Sequence, residues 1–364
     1  MYVNGERRMA WLARIEEVLP IPERDRIVQY RVGGWKVIDG IDKYQIGDLV
    51  IYVSVDSWVP NALAPFLSRD KEPRVYEGVP GERLKTIKMG GALSQGLLLP
   101  LSTLQNEGQW IDGVTVDEDC DVTEVLGILK WERTPEFRAA NAKGNFPYFL
   151  RKTDQERVQN VRPRTLEQVG PATYEVTEKL EGQSFTAYLW EDVFGVCSRN
   201  LELKADEPST WIDTANRYDL EAKLRAFFER TGKQIAIQGE QVGPGIEGNI
   251  YKLDSVRLYV YDVFDIAEQK YLPPAFAREV AFELGIPYVP VIDVAFELPE
   301  RYCDELLAMA HCESRLAPYF AEGLVFKVNS DKSDFSFKAI GNFYAMNDKK
   351  SNPYVESEDC QAIV

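Results

Sequence analysis

The sequence is poor in the side chains that most often carry out catalysis or bind metals. Its 364 residues include one histidine, His311, and five cysteines, with no Cys-x-x-Cys pair. A single histidine argues against His-dependent serine hydrolases, two-histidine nucleases and histidine-rich metal sites, and we expect His311 to have a packing or surface role. The odd number of cysteines argues against a disulfide framework. Any chemistry is therefore expected to depend on Lys, Arg, Asp and Glu.

Long apolar runs and an excess of positive charge are also absent. No run is long enough to span a bilayer and the first residues lack the apolar core of a signal peptide, so we expect a cytoplasmic protein without a membrane partner. The net charge of -16 argues against bulk attraction to nucleic acid, and a basic groove would have to be local. The length of 364 residues makes two domains the default.

The first third of the chain has the pattern of an all-β domain. Short apolar-rich runs alternate with turn residues between residue 8 and about residue 125, which suggests a small barrel. Residues 83–89 form one predicted strand, and its Arg83, Lys85 and Lys88 are the clearest local basic cluster of this half. We prefer an OB-type barrel that binds nucleic acid through these three residues, and a purely structural β-domain stays open.

Composition also predicts where the domains divide. An acidic run at residues 117–121 is followed by a stretch rich in Pro, Gly and polar residues, as in connecting segments. We expect an OB-like domain at 1–125, a linker at 126–150, a catalytic domain at 151–350 and a loose tail at 351–364.

The most informative motif lies at residues 174–188. Lys179 and Glu181 stand two positions apart between β-prone runs, and Gly182 interrupts these runs at the expected turn. In an extended segment, positions i and i+2 project to the same side, so both side chains would face one cavity. Taken alone, Lys-x-Glu-Gly is more often a solvated turn, because a lysine nucleophile must lose a proton from a pKa of about 10.4. The motif therefore needs partners elsewhere in the chain.

Candidate partners stand before and after this motif. Residues 151–160 are dense in groups that bind phosphate, although in isolation this stretch favours a solvated helix. Helices are expected at 216–230, 275–284 and 299–310, with Gly232 as a C-cap. Polar residues also mark the predicted strands and strand ends that follow the motif: Arg199, Glu240, Tyr261, Asp262, Glu322, Lys327 and Lys338.

In this order the motifs resemble the six ordered motifs of the covalent nucleotidyltransferases, which include ATP-dependent DNA and RNA ligases and RNA capping enzymes. The upstream segment and the barrel before the catalytic domain are similar to nick-sealing RNA ligases with an N-terminal OB domain. DNA ligases and capping enzymes of this superfamily carry their OB domain after the catalytic one. The resemblance implies an α+β protein, with an OB-like barrel followed by a nucleotidyltransferase domain of antiparallel sheets and flanking helices.

The resemblance further implies an activity and a set of roles. Lys179 would attack ATP to form lysyl-AMP, AMP would pass to the 5'-phosphate of an RNA or DNA end, and a 3'-hydroxyl would displace it. The expected substrates are nicks in RNA or RNA–DNA duplexes. The implied catalytic residues are Lys179, Glu240, Glu322, Lys327 and Lys338. The implied nucleotide-binding residues are Glu178, Leu180, Arg157, Arg199, Tyr261, Lys327 and Lys338, with Tyr261 on adenine, Arg199 on the 5'-phosphate or ribose side, Arg157 on pyrophosphate and the two lysines on the α-phosphate. Mg or Mn would be held through its waters by Glu181, Glu240 and Glu322, with Glu240 alternatively on the ribose.

Physical chemistry supports the same assignment, because phosphoryl-type transfer depends chiefly on positioning and charge neutralisation. Three departures from the family pattern stand out: Glu181 replaces the commoner Asp, Ser184 stands where some RNA ligases have Asn, and Ser336 stands where many relatives have a lysine. Alternatives are a DNA ligase, a GTP-dependent capping enzyme or a non-catalytic nucleic-acid-binding protein. We expect the chain to act as a monomer.

Overall fold

The structure is a computed structural model that describes residues 2–3, 6–69, 71–132, 141–342 and 344. The described chain divides into two compact units, one up to residue 132 and one from residue 141. The tail predicted at residues 351–364 lies outside the described residues. No helix in the described ranges is long and apolar enough to cross a membrane.

The N-terminal unit is built from short strands and 3-10 helices. The 3-10 helices cover Pro65–Ser68 and Leu101–Leu104. The strands are β1 (Tyr2–Val3), β2 (Glu6–Arg7), β3 (Ala10–Arg14), β4 (Glu17–Pro20), β5 (Ile27–Val32), β6 (Trp35–Gly40), β7 (Leu49–Val53), β8 (Ser57–Pro60), β9 (Arg74–Tyr76), β10 (Val79–Arg83), β11 (Thr86–Met89), β12 (Ala92–Gln95), β13 (Leu97–Leu99), β14 (Gln105–Asn106), β15 (Gln109–Trp110) and β16 (Leu129–Lys130).

Two apolar cores lie on opposite faces of the central strands β3 and β7. Side chains alternate along a strand, so Trp11 and Tyr52 enter one core and Leu12 and Ile51 enter the other. The Trp11 and Tyr52 rings meet edge to face, with centroids 4.8 Å apart. Because both faces of this sheet are buried, the runs that carry its strands are continuously apolar rather than alternating.

The single basic strand predicted at residues 83–89 is wrong. β10 ends at Arg83, and β11 begins at Thr86 to form a separate hairpin with β12. The break follows from burial of Leu84, whose backbone N–H donates to Ser57 O at 2.8 Å while its side chain packs into the core. The spacing of the basic residues therefore gave no sign that Leu84 faces inward.

The C-terminal unit contains two sheets and five helices among its described residues. Its strands are β17 (Ala142–Asn145), β18 (Glu156–Arg157), β19 (Tyr174–Lys179), β20 (Gln183–Trp190), β21 (Val193–Cys197), β22 (Leu201–Leu203), β23 (Ile235–Val242), β24 (Arg257–Asp265), β25 (Lys270–Tyr271), β26 (Val291–Phe296), β27 (Gly323–Val328) and β28 (Ser336–Ile340). Its helices are α1 (Pro163–Val169), α2 (Thr210–Arg217), α3 (Leu220–Thr231), α4 (Pro274–Glu283) and α5 (Tyr302–Met309).

Seven strands form one sheet in the order β17-β22-β21-β20-β23-β24-β25, and five form the other in the order β18-β28-β27-β19-β26. Helices α2, α3 and α4 cover the first sheet, and α5 packs on the second. Consecutive strands β19 and β20 belong to different sheets. The turn between them therefore carries the chain, just after Lys179, from one sheet to the other.

The helix favoured at residues 151–160 is not formed. The segment pairs as β18 alongside β28 and then makes one 3-10 turn at Val158–Asn160. Val158 and Gln159 are buried there, at 0% and 4% exposure, so the segment is an inner edge of the sheet rather than a solvated helix. The linker predicted at 126–150 contributes β16 to one unit and β17 to the other.

The helices predicted in the second unit agree better with the structure than the helix predicted at residues 151–160. The helix expected at 275–284 is confirmed as α4, and Gly232 caps α3 with φ at 69° and its N–H on Phe228 O at 2.7 Å. The helix expected at 216–230 begins only at Leu220, because Asp219 adopts a left-handed φ of 52° that separates α3 from α2.

Phe326 provides a test of the packing beneath the five-stranded sheet. Its fully buried ring stacks on Phe337 with centroids 5.1 Å apart. We expect Phe326→Ala to lower the free energy of unfolding by about 3 to 5 kcal/mol, because it leaves a cavity. Urea denaturation measures this loss. Phe282→Ala, at an 88% exposed position on α4, is the control and should change stability by about 0.5 kcal/mol at most; equal losses would contradict the packing.

Candidate active site

Lys179 lies at the end of β19, where its backbone is paired with Gly323 of β27. Its Nζ donates to Glu322 Oε2 at 2.6 Å, and about a quarter of the side chain is exposed (25%). A Cβ at Gly323 would lie 2.0 Å from Ala339 O, so only glycine permits the strand spacing at this point. The amine is thereby held at the end of the strand, in contact with both a carboxylate and solvent.

The turn after Lys179 positions Glu181 differently from the prediction. Because β19 ends at Lys179, the expectation that an extended strand projects both side chains to one side does not apply. Instead the Glu181 N–H donates to the Tyr251 hydroxyl at 2.8 Å. At Gly182 a Cβ would lie 2.4 Å from Gln241 O, so the turn packs directly on β23 of the other sheet.

Glu240 joins Lys179 and Glu322 from the seven-stranded sheet. It lies on β23 opposite Ser184 and Tyr259. Burial raises the pKa of its carboxyl to about 8; the nearby Lys179 opposes the shift and Glu322 adds to it. The electrostatic coupling shows that the two carboxylates and the amine share one site.

Lys327 ties the two sheets together. From β27 its Nζ bonds Asp262 Oδ1 at 2.7 Å and the Tyr261 carbonyl on β24, and both side chains of the ion pair are about nine-tenths buried (8% and 10% exposed). Burial raises the pKa of Asp262, and Lys327 opposes that shift. Glu175, opposite Lys327 in the sheet, is bound by Arg278 and by the Tyr288 hydroxyl at 3.0 Å.

Tyr261, on β24, lies beside Ser184 and Lys327. Its hydroxyl lies 3.5 Å from Ser184 Oγ, and Lys327 Nζ lies 5.5 Å from the centroid of its ring. The Ser184 carbonyl in turn accepts from Trp211 Nε1 at 2.9 Å. Burial raises the pKa of Tyr261 well above its ordinary value, so it remains a neutral ring beside the cationic and acidic groups.

Asp154 lies between two cations predicted from the sequence. Its Oδ1 lies 3.4 Å from Arg199 Nη2 and 4.0 Å from Lys338 Nζ. The backbone of Lys338 on β28 is in register with that of Arg157 on β18. The sequence reasoning gave Asp154 no role. Asp154 lies within residues 151–160, which are dense in groups that bind phosphate. That position was the one sign in the sequence that Asp154 could belong to the site.

Glu178 and Leu180, on either side of Lys179, have side chains that contact a loop and an apolar cluster. The Glu178 carboxylate accepts from Ser314 Oγ and from the Arg315 N–H at 2.7 Å. Leu180 is 3% exposed in an apolar cluster with Tyr251. Their side chains support the loops around the site, so a contact with a nucleotide would come from their backbone atoms.

The carboxylates suit a hydrated cation. In the part of the chain that the structure describes, no three His, Cys, Asp or Glu side chains converge closely enough to bind a metal ion. Glu240 nevertheless lies near Glu322, whose negative charge contributes to the raised pKa of the Glu240 carboxyl. Mg²⁺ usually keeps several waters and takes few direct protein ligands, so the donor set fits an ion held through its hydration shell.

Comparisons with known proteins agree with this geometry. Residues 172–340 match the RNA ligase family profile and residues 9–101 match an OB-fold domain. An RNA ligase from Naegleria gruberi, solved as a lysine-to-alanine mutant with ATP and Mn, has 34% identity and a TM-score of 0.82, over 94% of this chain and 100% of that chain. A glutamate-to-alanine mutant of the same ligase with AMP and Mn has 34% identity and a TM-score of 0.83, over 95% and 100% of the two chains. The chain belongs to the RNA ligase family.

A third structure, the Naegleria gruberi ligase with pyrophosphate, matches this RNA ligase with 35% identity and a TM-score of 0.79, over 93% of this chain and 98% of that chain. No curated protein sequence matches the chain. The predicted architecture, an N-terminal OB-fold domain followed by an α+β ligase domain, is confirmed.

The OB domain of this ligase carries a groove of about 540 Å³. Arg83 and Lys85 line it, whereas Lys88, on β11, does not. Arg83 is fixed in place, with Nη2 2.7 Å from Asp56 Oδ1 and its guanidinium 3.7 Å from the Trp131 ring centroid. Sequence reasoning missed four further basic residues of the groove and its half-exposed aromatic residue: Lys43, Arg69, Lys71, Arg74 and Phe66.

The raised pKa of Glu240 predicts a pH-dependent stability difference. Between pH 4.5 and about pH 8 the unfolded carboxyl ionises while the folded one stays protonated, so the ionisable residue destabilises the fold increasingly as pH rises. We expect Glu240→Gln to raise Tm relative to the wild type at pH 8 to 9, and the gain to vanish toward pH 4.5. Differential scanning calorimetry across this range measures it.

Glu229→Gln, at an exposed position of α3, removes the same formal charge from a hydrated site and serves as the control. A Glu240→Gln gain that is equal at both ends of the pH range, or no larger than that of the control, would show that burial does not govern this carboxyl.

Proposed function

We propose that this protein is an ATP-dependent RNA ligase that joins a 5'-phosphate end to a 3'-hydroxyl end through AMP bound covalently to Lys179. The observation that carries the proposal is the 2.6 Å contact between Lys179 and Glu322, with Glu240 electrostatically coupled to both. The Naegleria structures with ATP, AMP, Mn and pyrophosphate support it.

The reaction proceeds in three displacements at phosphorus. The neutral amine of Lys179 attacks the α-phosphorus of ATP; the N–P bond forms as the bond to the β-phosphate oxygen breaks, and pyrophosphate leaves. An oxygen of the RNA 5'-phosphate then attacks the AMP phosphorus and releases the lysine. Finally the 3'-hydroxyl attacks the 5'-phosphorus, and AMP departs as the phosphodiester forms.

Glu322 controls the first step. Lys179 Nζ donates to Glu322 Oε2 at 2.6 Å, and a proton must leave the amine before it attacks the α-phosphorus. Glu322 is the base nearest to the proton in the structure. Mg or Mn, held through water by Glu181, Glu240 and Glu322, would neutralise charge on the α-phosphate.

The surrounding residues position the nucleotide and the RNA end. We assign Tyr261 to stacking on adenine, Arg199 to the 5'-phosphate or ribose side, Lys338 to the α-phosphate and Arg157 to the departing pyrophosphate. Lys327 is bound to Asp262 and to the Tyr261 carbonyl, so its contribution to the α-phosphate comes from a fixed positive charge that also holds Tyr261 in place.

The substrate we propose is a nick in an RNA or RNA–DNA duplex, sealed by a single chain. An OB domain placed before the catalytic domain supports this substrate, because that order is the one found in the nick-sealing relatives. The four described cysteines, Cys120, Cys197, Cys303 and Cys312, are free thiols, which suits the reducing cytoplasm in which we place the protein.

Intact mass spectrometry tests the nucleophile. After incubation with ATP and Mg or Mn, the wild type should gain about 329 Da, the mass of one AMP, and Lys179→Ala should gain nothing. Folding of the variant is checked by its Tm. An adduct on Lys179→Ala would show that another residue is the nucleophile. If the folded wild type, free of bound AMP, forms no adduct, the ligase assignment is overturned in favour of a nucleic-acid-binding protein.

The OB domain groove is our candidate for the strand-binding surface. Its lining combines basic residues with the half-exposed ring of Phe66, and OB folds bind single strands with such grooves. A role of this kind would not affect the chemistry at Lys179. It would show in RNA binding alone.

Charge reversal tests the groove. Lys71→Glu and Lys85→Glu should each weaken binding to a nicked RNA duplex and lower the slope of log affinity against log salt by about one for each lost phosphate contact. The matched control is Lys36→Glu, on β6 outside the groove lining. Mass gain with ATP should be unchanged in all three. If the control weakens binding as much as the groove variants, the effect is general electrostatics.

A further inference from the structure

Tyr148 is 97% exposed, more than any other large hydrophobic side chain in the described chain. It occupies a tight turn in which the Leu150 N–H donates to Pro147 O at 3.1 Å. The next residue, Phe149, packs its ring on Tyr188 and Trp190, with centroids 5.3 and 5.9 Å away. The backbone of Tyr148 is therefore fixed while its ring projects into water.

The ring of Tyr148 faces solvent on a turn that its neighbours anchor. Apolar side chains on a surface gain nothing from water. The turn is anchored by Phe149 and by Leu150, which is 8% exposed, and the Tyr148 ring meets that of Phe149 edge to face, with centroids 5.6 Å apart. Anchoring of the turn lowers the backbone conformational entropy that a binding partner would otherwise remove, so the turn presents an exposed aromatic surface.

Basic side chains surround the turn. Lys152 Nζ lies 5.7 Å from the Phe146 ring centroid and 3.1 Å from Asn200 Oδ1, and Arg151 lies over the Tyr271 ring at 5.5 Å. With Lys143 and Arg199 they make four cations, against three paired carboxylates: Glu202, Asp154 and Asp334. In a chain of net charge -16, a locally positive patch with an exposed ring favours a nucleic acid partner over a protein one.

The turn is also linked to the predicted 5'-phosphate contact. The Phe146 N–H donates to Asn200 O at 2.9 Å, and Asn200 follows Arg199 in the chain. Tyr148 lies two positions after Phe146 in the chain, a reach of at most about 7 Å. Nucleotides in a stacked strand are spaced by about 3.4 Å, so a strand that leaves Arg199 reaches the ring within a few nucleotides.

We propose that Tyr148 stacks on a base of the RNA strand that carries the 5'-phosphate, within the first few nucleotides of the end, while Lys152 contacts the backbone. The proposal rests on the RNA ligase function and adds a specific contact for the strand on the 5' side. Stacking needs the aromatic face and not the hydroxyl, so Phe or Trp at this position should serve as well as Tyr.

Equilibrium binding of the adenylylated protein to a nicked RNA duplex tests this surface. Stacking on one base is worth about 1 to 3 kcal/mol, so Tyr148→Ala should weaken binding by roughly 5-fold to 150-fold. Tyr148→Phe and Tyr148→Trp should bind like the wild type. Phe282→Ala, which removes another exposed aromatic ring of the same unit, is the matched control and should have no effect.

Abasic substitutions locate the stacked base. With the wild type, one abasic site among the first four nucleotides of the 5'-phosphate strand should reproduce the loss seen for Tyr148→Ala. With Tyr148→Ala, the same substitution should cost nothing further. Additive losses at every position, or an effect only from abasic sites on the 3'-hydroxyl strand, would overturn the assignment.

Mass gain with ATP separates failure of this inference from failure of the proposed function. Tyr148→Ala should form lysyl-AMP at the wild-type rate, because the ring lies outside the nucleotide site. Normal adenylylation with unchanged RNA binding in Tyr148→Ala would overturn the stacking role and leave the ligase assignment standing. Absence of adenylylation in the wild type would overturn the ligase assignment first.

Discussion

The buried ion pair between Lys327 and Asp262 holds the two sheets of the C-terminal unit in place against each other. It joins the five-stranded sheet to the seven-stranded one at 2.7 Å, and Glu175 with Arg278 and Tyr288 continues the polar contact between them. A buried pair seldom adds much net stability. Removing one partner nevertheless leaves an unpaired buried charge, at a cost of about 3 to 5 kcal/mol. Its value here is geometric, because the nucleophile stands on one sheet and Glu240 on the other.

Glycine makes the close approach of these elements possible. At Gly182 and Gly323 a side chain would collide with backbone oxygens of neighbouring strands at 2.4 and 2.0 Å. Each flanks a charged residue of the site: Gly182 follows Glu181, and Gly323 follows Glu322. At Gly323 the close strand spacing accompanies the contact of Glu322 with Lys179 at 2.6 Å, and at Gly182 it lets the turn pack on β23.

The structure brings motif residues named from the sequence close together, and their roles there stay predictions. Lys179, Glu240 and Glu322 meet as the ordered motifs implied, although they come from different strands. Sequence reasoning failed where tertiary contacts override local pattern. Leu84 split a basic strand by turning inward, and the segment around Arg157 became a sheet edge because Val158 is buried. It also could not assign a direction to Glu178, whose carboxylate binds a loop 136 residues away in sequence.

Asp154 places an anion between two cations of the proposed phosphate site. Its carboxylate sits between Arg199 and Lys338, at 3.4 and 4.0 Å, and relieves the repulsion between the two cations. If these cations bind phosphate as proposed, an incoming phosphate must compete with this tethered charge. Small monovalent anions carry no more charge than a carboxylate and would gain little by the exchange, whereas a polyphosphate or a terminal RNA phosphate carries more. The residue that keeps the cations together would thus favour multiply charged ligands.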